Sequence, residues 1–269
     1  MRLFRQLSGI TTLVCVGVAF VLADLVLFLV VVPLARLRPA SRVRLLSSFA
    51  QFMSRVSIGL LRHIGRAEVD VRPVIPAHGG VMMVMNHQSI VDIPAAAACV
   101  PSGFPRMVVH ARYGRGIPLV SHMIAVYGHI PVQPGRTGRS ELDALRETAR
   151  ASTLPILIFP EGHRTRDGEI RAWKRAGLDA FLSAREWSVY VVVVDGLWEV
   201  GRITGFVRNL WRVRCRVEAV GPFAYDGRER ANHDEFVEGL RRVMCDKLAE
   251  MRAVPRDARA RPMRRSSEP

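Results

Sequence analysis

Residues 81–92 read VMMVMNHQSIVD. The run Val81–Met85 is apolar at every position rather than at alternate ones, which is the pattern of a strand buried on both faces of a parallel sheet. It breaks at once into Asn86, His87, Gln88 and Ser89, and a stretch of helical composition, Ile93–Val100, follows. Strand, polar turn and helix in that order make a βα junction, and open α/β sheets place their sites at the carboxyl ends of such strands. The same grammar recurs outward in both directions. Short apolar runs at Val69–Val71, Arg106–Val109, His129–Val132, Pro155–Phe159, Val189–Val194 and Val213–Val220 alternate with helical stretches at Arg139–Ser152, Ala172–Arg185 and His233–Arg252. This alternation predicts an α/β layered domain around a mostly parallel sheet. In the last run Val213, Cys215, Val217 and Ala219 alternate with Arg214, Arg216 and Glu218, which predicts an edge strand with one wet face.

Within the junction, His87 and Asp92 are five residues apart, about 500° around an ideal helix, so they cannot share a helical face. They meet only if His87 lies in the turn and Asp92 in the first turns of the helix. An Asp on one ring nitrogen would then fix the tautomer and leave the other nitrogen to take a hydroxyl proton. The spacing equally allows Asn86 to cap the helix, Asp92 to favour its start and His87 to be incidental.

A second polar loop follows another apolar run: FPEGHRTRDG, residues 159–168, offers Glu161, Arg164 and Arg166 around a permissive Gly162. Planar guanidinium forks suit phosphate, although a solvated loop with local Glu–Arg pairing has the same composition. A third, IPVQPGR at 130–136, places Arg136 after a strand, and Lys174 with Arg175 opens a helix. No GxSxG, GxxxxGK[ST], HExxH or GxGxxG occurs, and the four cysteines, Cys15, Cys99, Cys215 and Cys245, have no zinc or disulfide spacing.

At the amino end, residues 10–32 read ITTLVCVGVAFVLADLVLFLVVV with Asp24 as the one ionisable group, about 35 Å as a helix. The apolar run continues past Ala23, which favours a retained anchor over a cleaved signal peptide. Arg36, Arg38, Arg42 and Arg44 outnumber Arg2 and Arg5 and put the bulk of the chain on the cytoplasmic side, with the anchor spanning or re-entrant. Leu45, Phe49, Phe52, Met53, Val56, Leu60 and Ile64 then form a helical apolar stripe that either lies in the membrane interface or caps the core. Thirty-nine Lys+Arg against 24 Asp+Glu leave a net +15 over 269 residues with 49% apolar content. That excludes a disordered chain and calls for an anionic partner. Tryptophans too dispersed for base stacking, together with the apolar leader, argue against nucleic acid and for anionic membrane lipid. The divisions expected are membrane-anchor helices over 1–65, a catalytic domain over 66–252 and a basic, disordered tail over 253–269.

NHQSIVD, the Arg136 segment, FPEGHRTRDG and the apolar VYVVVVDG at 189–196, in that order, resemble the four blocks of the glycerolipid acyltransferase superfamily, especially bacterial 1-acyl-glycerol-3-phosphate acyltransferases. The resemblance covers about residues 81–196. It implies His87 as general base, Asp92 as its orienting partner, and Arg136, Glu161, Gly162 and Arg164 as the acceptor-binding group. It further implies a membrane-associated enzyme at the cytoplasmic face that moves an acyl chain from acyl-CoA or acyl-carrier protein to a lysophospholipid hydroxyl, without metal or other cofactor. The chain departs from the pattern at His163, where Thr is usual, at Tyr190 and Asp195, at HARYGR (110–115) and in the order Ala176–Gly177. Those departures bear on the acceptor, so a different lysolipid such as an aminolipid is the nearest alternative, and a catalytically silent membrane scaffold is the alternative of another class.

Overall fold

The computed structural model describes residues 2–133, 138–227 and 232–253. The described strands are β1 (Glu68–Val71), β2 (Val81–Met85), β3 (Arg106–His110), β4 (Ile130–Val132), β5 (Ile156–Ile158), β6 (Trp187–Asp195) and β7 (Arg214–Tyr225). They form one sheet in the order β1-β7-β6-β2-β5-β3-β4, parallel at every pairing except β6 with β7. Every residue of β2 is fully buried between its neighbours β6 and β5, as its unbroken apolar run requires. The α/β class and the mostly parallel sheet expected from the sequence are therefore present.

Met83, Met85, Leu157, Val192 and Val194 face one helical layer, where α3 (Arg42–His63), α4 (Asp92–Ala98) and α5 (Val120–Tyr127) supply Leu46, Met53, Ala95, Ala96 and Met123. Met82, Val84, Ile158 and Val193 face the other, where α7 (Arg175–Leu182) and α9 (His233–Ala253) supply Leu178, Phe181, Leu240 and Met244. A further helix, α6 (Arg139–Ala151), packs beside α7. The alternate residues of each strand thus serve two cores.

Three expectations change. The strand β7 is not an edge, because it pairs with β1 on one side and β6 on the other. Its polar alternation has another cause: Glu218 receives Arg216 at 3.2 Å and Lys247 of α9 at 2.8 Å, while Arg214 meets Glu68 at 2.8 Å. Two short helices, α5 and α8 (Ile203–Asn209), were not anticipated. The third change is in α3, which turns a small and polar face inward: Ser47, Ala50, Gln51, Ser54 and Ser57 are buried while Phe52 is 57% exposed. Close approach to the alanines of α4 needs small side chains. Ser54 and Ser57 satisfy themselves on Ala50 O and Met53 O, and the Gln51 amide donates to Ala97 O, Val100 O and Gly103 O.

The apolar leader forms α1 (Arg2–Val26), a π-helical turn at Leu27–Val31 and α2 (Val32–Leu37). From Gln6 to Leu37 this helical run is long and apolar enough to cross a membrane. One face is nonetheless docked along its length. Ser8 Oγ donates to Ile64 O (2.6 Å), Gly9 lies so close to Val207 of α8 that a Cβ would sit 2.3 Å from its carbonyl oxygen, and Thr12 and Leu27 are fully buried. Asp24, the one acidic residue of the run, meets His122 of α5 (Oδ1 to Nδ1, 2.7 Å). The opposite face leaves Leu7, Val14, Val18, Leu22, Leu25 and Leu29 more than half exposed. The tail expected beyond Ala253 lies outside the described residues.

Candidate active site

The turn after β2 puts His87 outside the helix and Asp92 at its first position, the one arrangement in which a five-residue spacing closes. Asp92 is wholly buried, and its Oδ2 accepts from Gln88 N–H (2.6 Å), Ser89 N–H (2.8 Å) and His87 Nδ1 (2.7 Å). With two backbone donors already fixing this oxygen as an acceptor, the proton of the neutral imidazole sits on Nδ1. Nε2 is left as the basic nitrogen, and His87 lines the cavity described below. The imidazole, 19% exposed, stacks on Phe159 with ring centroids 4.1 Å apart, so its plane is set from two sides.

Neighbouring polar residues hold the turn to the sheet. Asn86 acts as a surrogate peptide that extends β2 towards β6: its Nδ2 donates to Val194 O (2.9 Å) and its Oδ1 accepts from Val194 N–H (2.8 Å). Gln88 Oε1 accepts from Leu197 N–H (2.9 Å). All three of Asn86, Gln88 and Ser89 are buried; backbone partners meet both polar atoms of the Asn86 amide and the Gln88 Oε1, while Gln88 Nε2 has none among the described residues.

The loop after β5 lies beside this turn because β5 is inserted next to β2. Glu161 is 1% exposed, and both its oxygens are bound to backbone: Oε1 accepts from His87 N–H (2.9 Å) and Oε2 from Arg171 N–H (3.0 Å). In return Thr165 N–H donates to His87 O (2.8 Å). Burial pushes the Glu161 carboxyl above its ordinary range, and the two N–H donors pull against that rise. Gly162 adopts φ +70°, which suits glycine, and Lys174 lies over it. Arg164 Nη1 donates to Gly201 O (2.8 Å) across the cavity rim, not to Glu161.

These loops border a cavity of about 1,420 Å³ along the carboxyl edge of the sheet. His87, Gly162 and Arg164 line it, while Asp92 and Glu161 stand behind that lining. Arg136 lies outside the described residues. Cationic side chains dominate the lining: Arg106, Arg112, Arg164, Arg166, Arg171, Lys174 and Arg202, against Glu141 and Glu199. Among the described residues none of Arg164, Arg166, Arg171 and Lys174 pairs with a carboxylate, whereas Arg175, next in the chain, meets both Asp179 and Asp234. Apolar wall is supplied by Val108, Ile130, Leu145, Ile158 and Phe181. Sequence reasoning passed over the bracing roles of Asn86 and Gln88 and the cationic contribution of Arg171. The first two carried a signal, polar residues directly after a buried strand. Arg171 carried none, since nothing in its neighbours distinguishes it from a surface arginine.

Comparison with known proteins agrees with this geometry. The sequence model of the acyltransferase family matches residues 66–194. A curated 1-acyl-sn-glycerol-3-phosphate acyltransferase of Cocos nucifera is 24% identical over 173 residues, 62% of this chain and 53% of the relative, so the chain spans about half the length of the curated protein it matches. The crystal structure of the 1-acyl-sn-glycerophosphate (LPA) acyltransferase PlsC from Thermotoga maritima aligns with a TM-score of 0.65 at 19% identity, covering 89% of this chain and 97% of that one, which establishes a shared fold. Motif order, the family match and the shared fold together support the glycerolipid acyltransferase superfamily for this chain.

Proposed function

We propose that the protein transfers a fatty acyl chain from a thioester, acyl-CoA or acyl-carrier protein, to the free hydroxyl of 1-acyl-glycerol-3-phosphate, giving phosphatidic acid. The observation that carries this reading is the His87–Asp92 pair, whose free Nε2 belongs to a cavity lined by uncompensated cations. Nε2 takes the proton of the acceptor hydroxyl as its oxygen attacks the thioester carbonyl. The tetrahedral intermediate collapses with cleavage of the C–S bond, and the imidazolium returns the proton to the departing thiolate. Asp92 stabilises the imidazolium and holds the tautomer. Glu161 holds the backbone on which His87 rides, and Arg164, with the neighbouring cations, receives the phosphate of the acceptor. The donor thioester is a substrate, and the steps call on no metal or separate cofactor. An aminolipid acceptor would leave the cation cluster facing a group of the wrong charge, and a silent scaffold would not need an oriented imidazole.

The N-terminal helices support a membrane location, which we assign to the cytoplasmic face. A helix docked on the domain near Ser8, Asp24 and Leu27 cannot cross a bilayer while the domain stays in water. We therefore infer that α1 lies in the interface plane, its outward stripe in lipid and the arginines at 36–44 against anionic headgroups. Incubation of the purified full chain, in vesicles, with each labelled thioester and a panel of lysolipids, followed by mass spectrometry, tests the reaction. Phosphatidic acid formation that is lost in His87→Ala is expected, and preferential acylation of an uncharged or amino lysolipid would refute the acceptor.

A further inference from the structure

His163 lies on the β5–α7 loop, lines the cavity, and is within hydrogen-bond distance of Arg171 (Nε2 to Nη1, 3.2 Å). A guanidinium can only donate, so Nε2 is the acceptor and the imidazole in this contact is neutral. Its surroundings explain that state. Partial burial and then the charges of Lys174, Arg171 and Arg166 from its own loop hold His163 below the ordinary imidazole range, and His87 of the β2–α4 turn adds to them when its ring is protonated. The carboxylates of the loop offer no relief: Asp167 is turned to Thr165 Oγ1 (2.6 Å) and Glu169 N–H (3.1 Å), and Glu161 is buried on backbone donors. A neutral imidazole among uncompensated cations has its field reversed by an incoming dianion.

We propose that His163 is a specificity-determining residue that reads acceptor charge: it accepts from Arg171 as a neutral imidazole and becomes a protonated donor to the phosphate when the lysolipid binds. The proton comes from solvent, and Arg171 Nη1, released from His163, turns to the same phosphate. This rests on the phosphorylated-acceptor reading above and adds to it a titrating residue. The sign follows directly. Binding raises the proton affinity of His163, so the protein takes up a proton on binding near neutral pH, and acceptor affinity weakens as pH rises through the bound-state value.

The test is calorimetric binding of 1-acyl-glycerol-3-phosphate to the full chain in vesicles without acyl donor, at pH 7 in two buffers of different ionisation enthalpy. His163→Asn and His163→Gln serve as variants, and the dephosphorylated monoacylglycerol as control ligand. Wild type should take up more protons than either variant, by as much as about one. The ratio of acceptor KM at pH 9 to that at pH 6 should be larger in wild type than in the variants, by roughly tenfold if one charge-assisted hydrogen bond is at stake. Equal proton uptake and parallel pH profiles in proteins that all bind the phosphorylated lipid would overturn the role of His163 alone. Failure of wild type to prefer the phosphorylated lipid over monoacylglycerol would instead overturn the acceptor reading and the proposal with it.

Discussion

The turn after β2 and the loop after β5 meet at His87 but are built on opposite terms. In the first, Asn86, Gln88, Ser89 and Asp92 are all buried and held by partners on the sheet or within the turn. In the second, Arg164, Arg166 and Lys174 are exposed, no carboxylate pairs with them among the described residues, and of the polar side chains Glu161 and Thr165 are the two that are buried. A buried network with its donors in place is rigid, because breaking any one bond leaves a desolvated group unpaired. Uncompensated surface cations cost little in water and keep their full attraction for an anion. The contrast assigns proton transfer to the rigid turn and recognition to the open loop.

The strongest way to break that division is His87→Ala, which removes the base and one of the three donors to Asp92 Oδ2 but keeps the two backbone donors. Turnover should fall about 10²–10⁴-fold in a protein that still folds, as measured by kinetics beside thermal melts. Near-normal turnover in the folded variant would end the proposal. Next in size is Glu161→Gln. The carboxylate takes His87 N–H on Oε1 and Arg171 N–H on Oε2, whereas an amide has a single acceptor oxygen and would set its NH₂ against the other N–H. A stability loss of about 1–3 kcal/mol, with a parallel drop in kcat, is expected in denaturant melts and assays. If only acceptor KM changed, Glu161 would belong with the recognition loop instead.

Arg164→Lys probes the open side. Charge is kept and the fork is lost, so KM for the phosphorylated acceptor should rise roughly tenfold or more, with little change towards its dephosphorylated counterpart or in stability. An equal loss towards both acceptors would mean that the Gly201 contact, not phosphate, is what Arg164 serves. The last effect is on stability rather than on turnover, and it lies just before β4. His129 packs half-buried against Phe104 and Tyr127 and accepts from Met107 N–H, and desolvation of its ring, with the nearby Arg106 charge, presses its pKa down to about 3. The unfolded chain therefore binds a proton more readily. Stability should be intact above the ordinary imidazole value near pH 6.5 and fall by up to about 1.4 kcal/mol per unit as pH drops from there towards 3. His129→Gln should flatten that slope in urea titrations, and an unchanged slope would place the acid sensitivity elsewhere.

Much of this site was legible in the residues. The apolar run of β2 needs no partner information to declare burial on both faces, and the polar stop at Asn86 marks where the chain leaves the sheet. The stripe on α3 misled because amphipathicity was read by hydrophobicity alone. Packing against the alanines of α4 selected small serines that bond to their own backbone, and of the bulky stripe Phe52 is exposed while Met53 is buried and Phe49 and Val56 pack against the same core. The alternation in β7 misled for a related reason, since ion pairs with β1 and α9 accommodate polar residues on an interior strand.

The sequence by itself determined the α/β class, the order of the βα junctions, the geometric condition under which His87 and Asp92 could meet, and the apolar leader, because each follows from local periodicity and spacing. Only the tertiary structure decided that β5 lies beside β2, which brings Glu161 to the backbone of a residue 74 positions away, and that Asp24 finds His122. Strand insertion and helix docking depend on how two cores fill on opposite faces of one sheet, a property of the whole chain that no local pattern encodes.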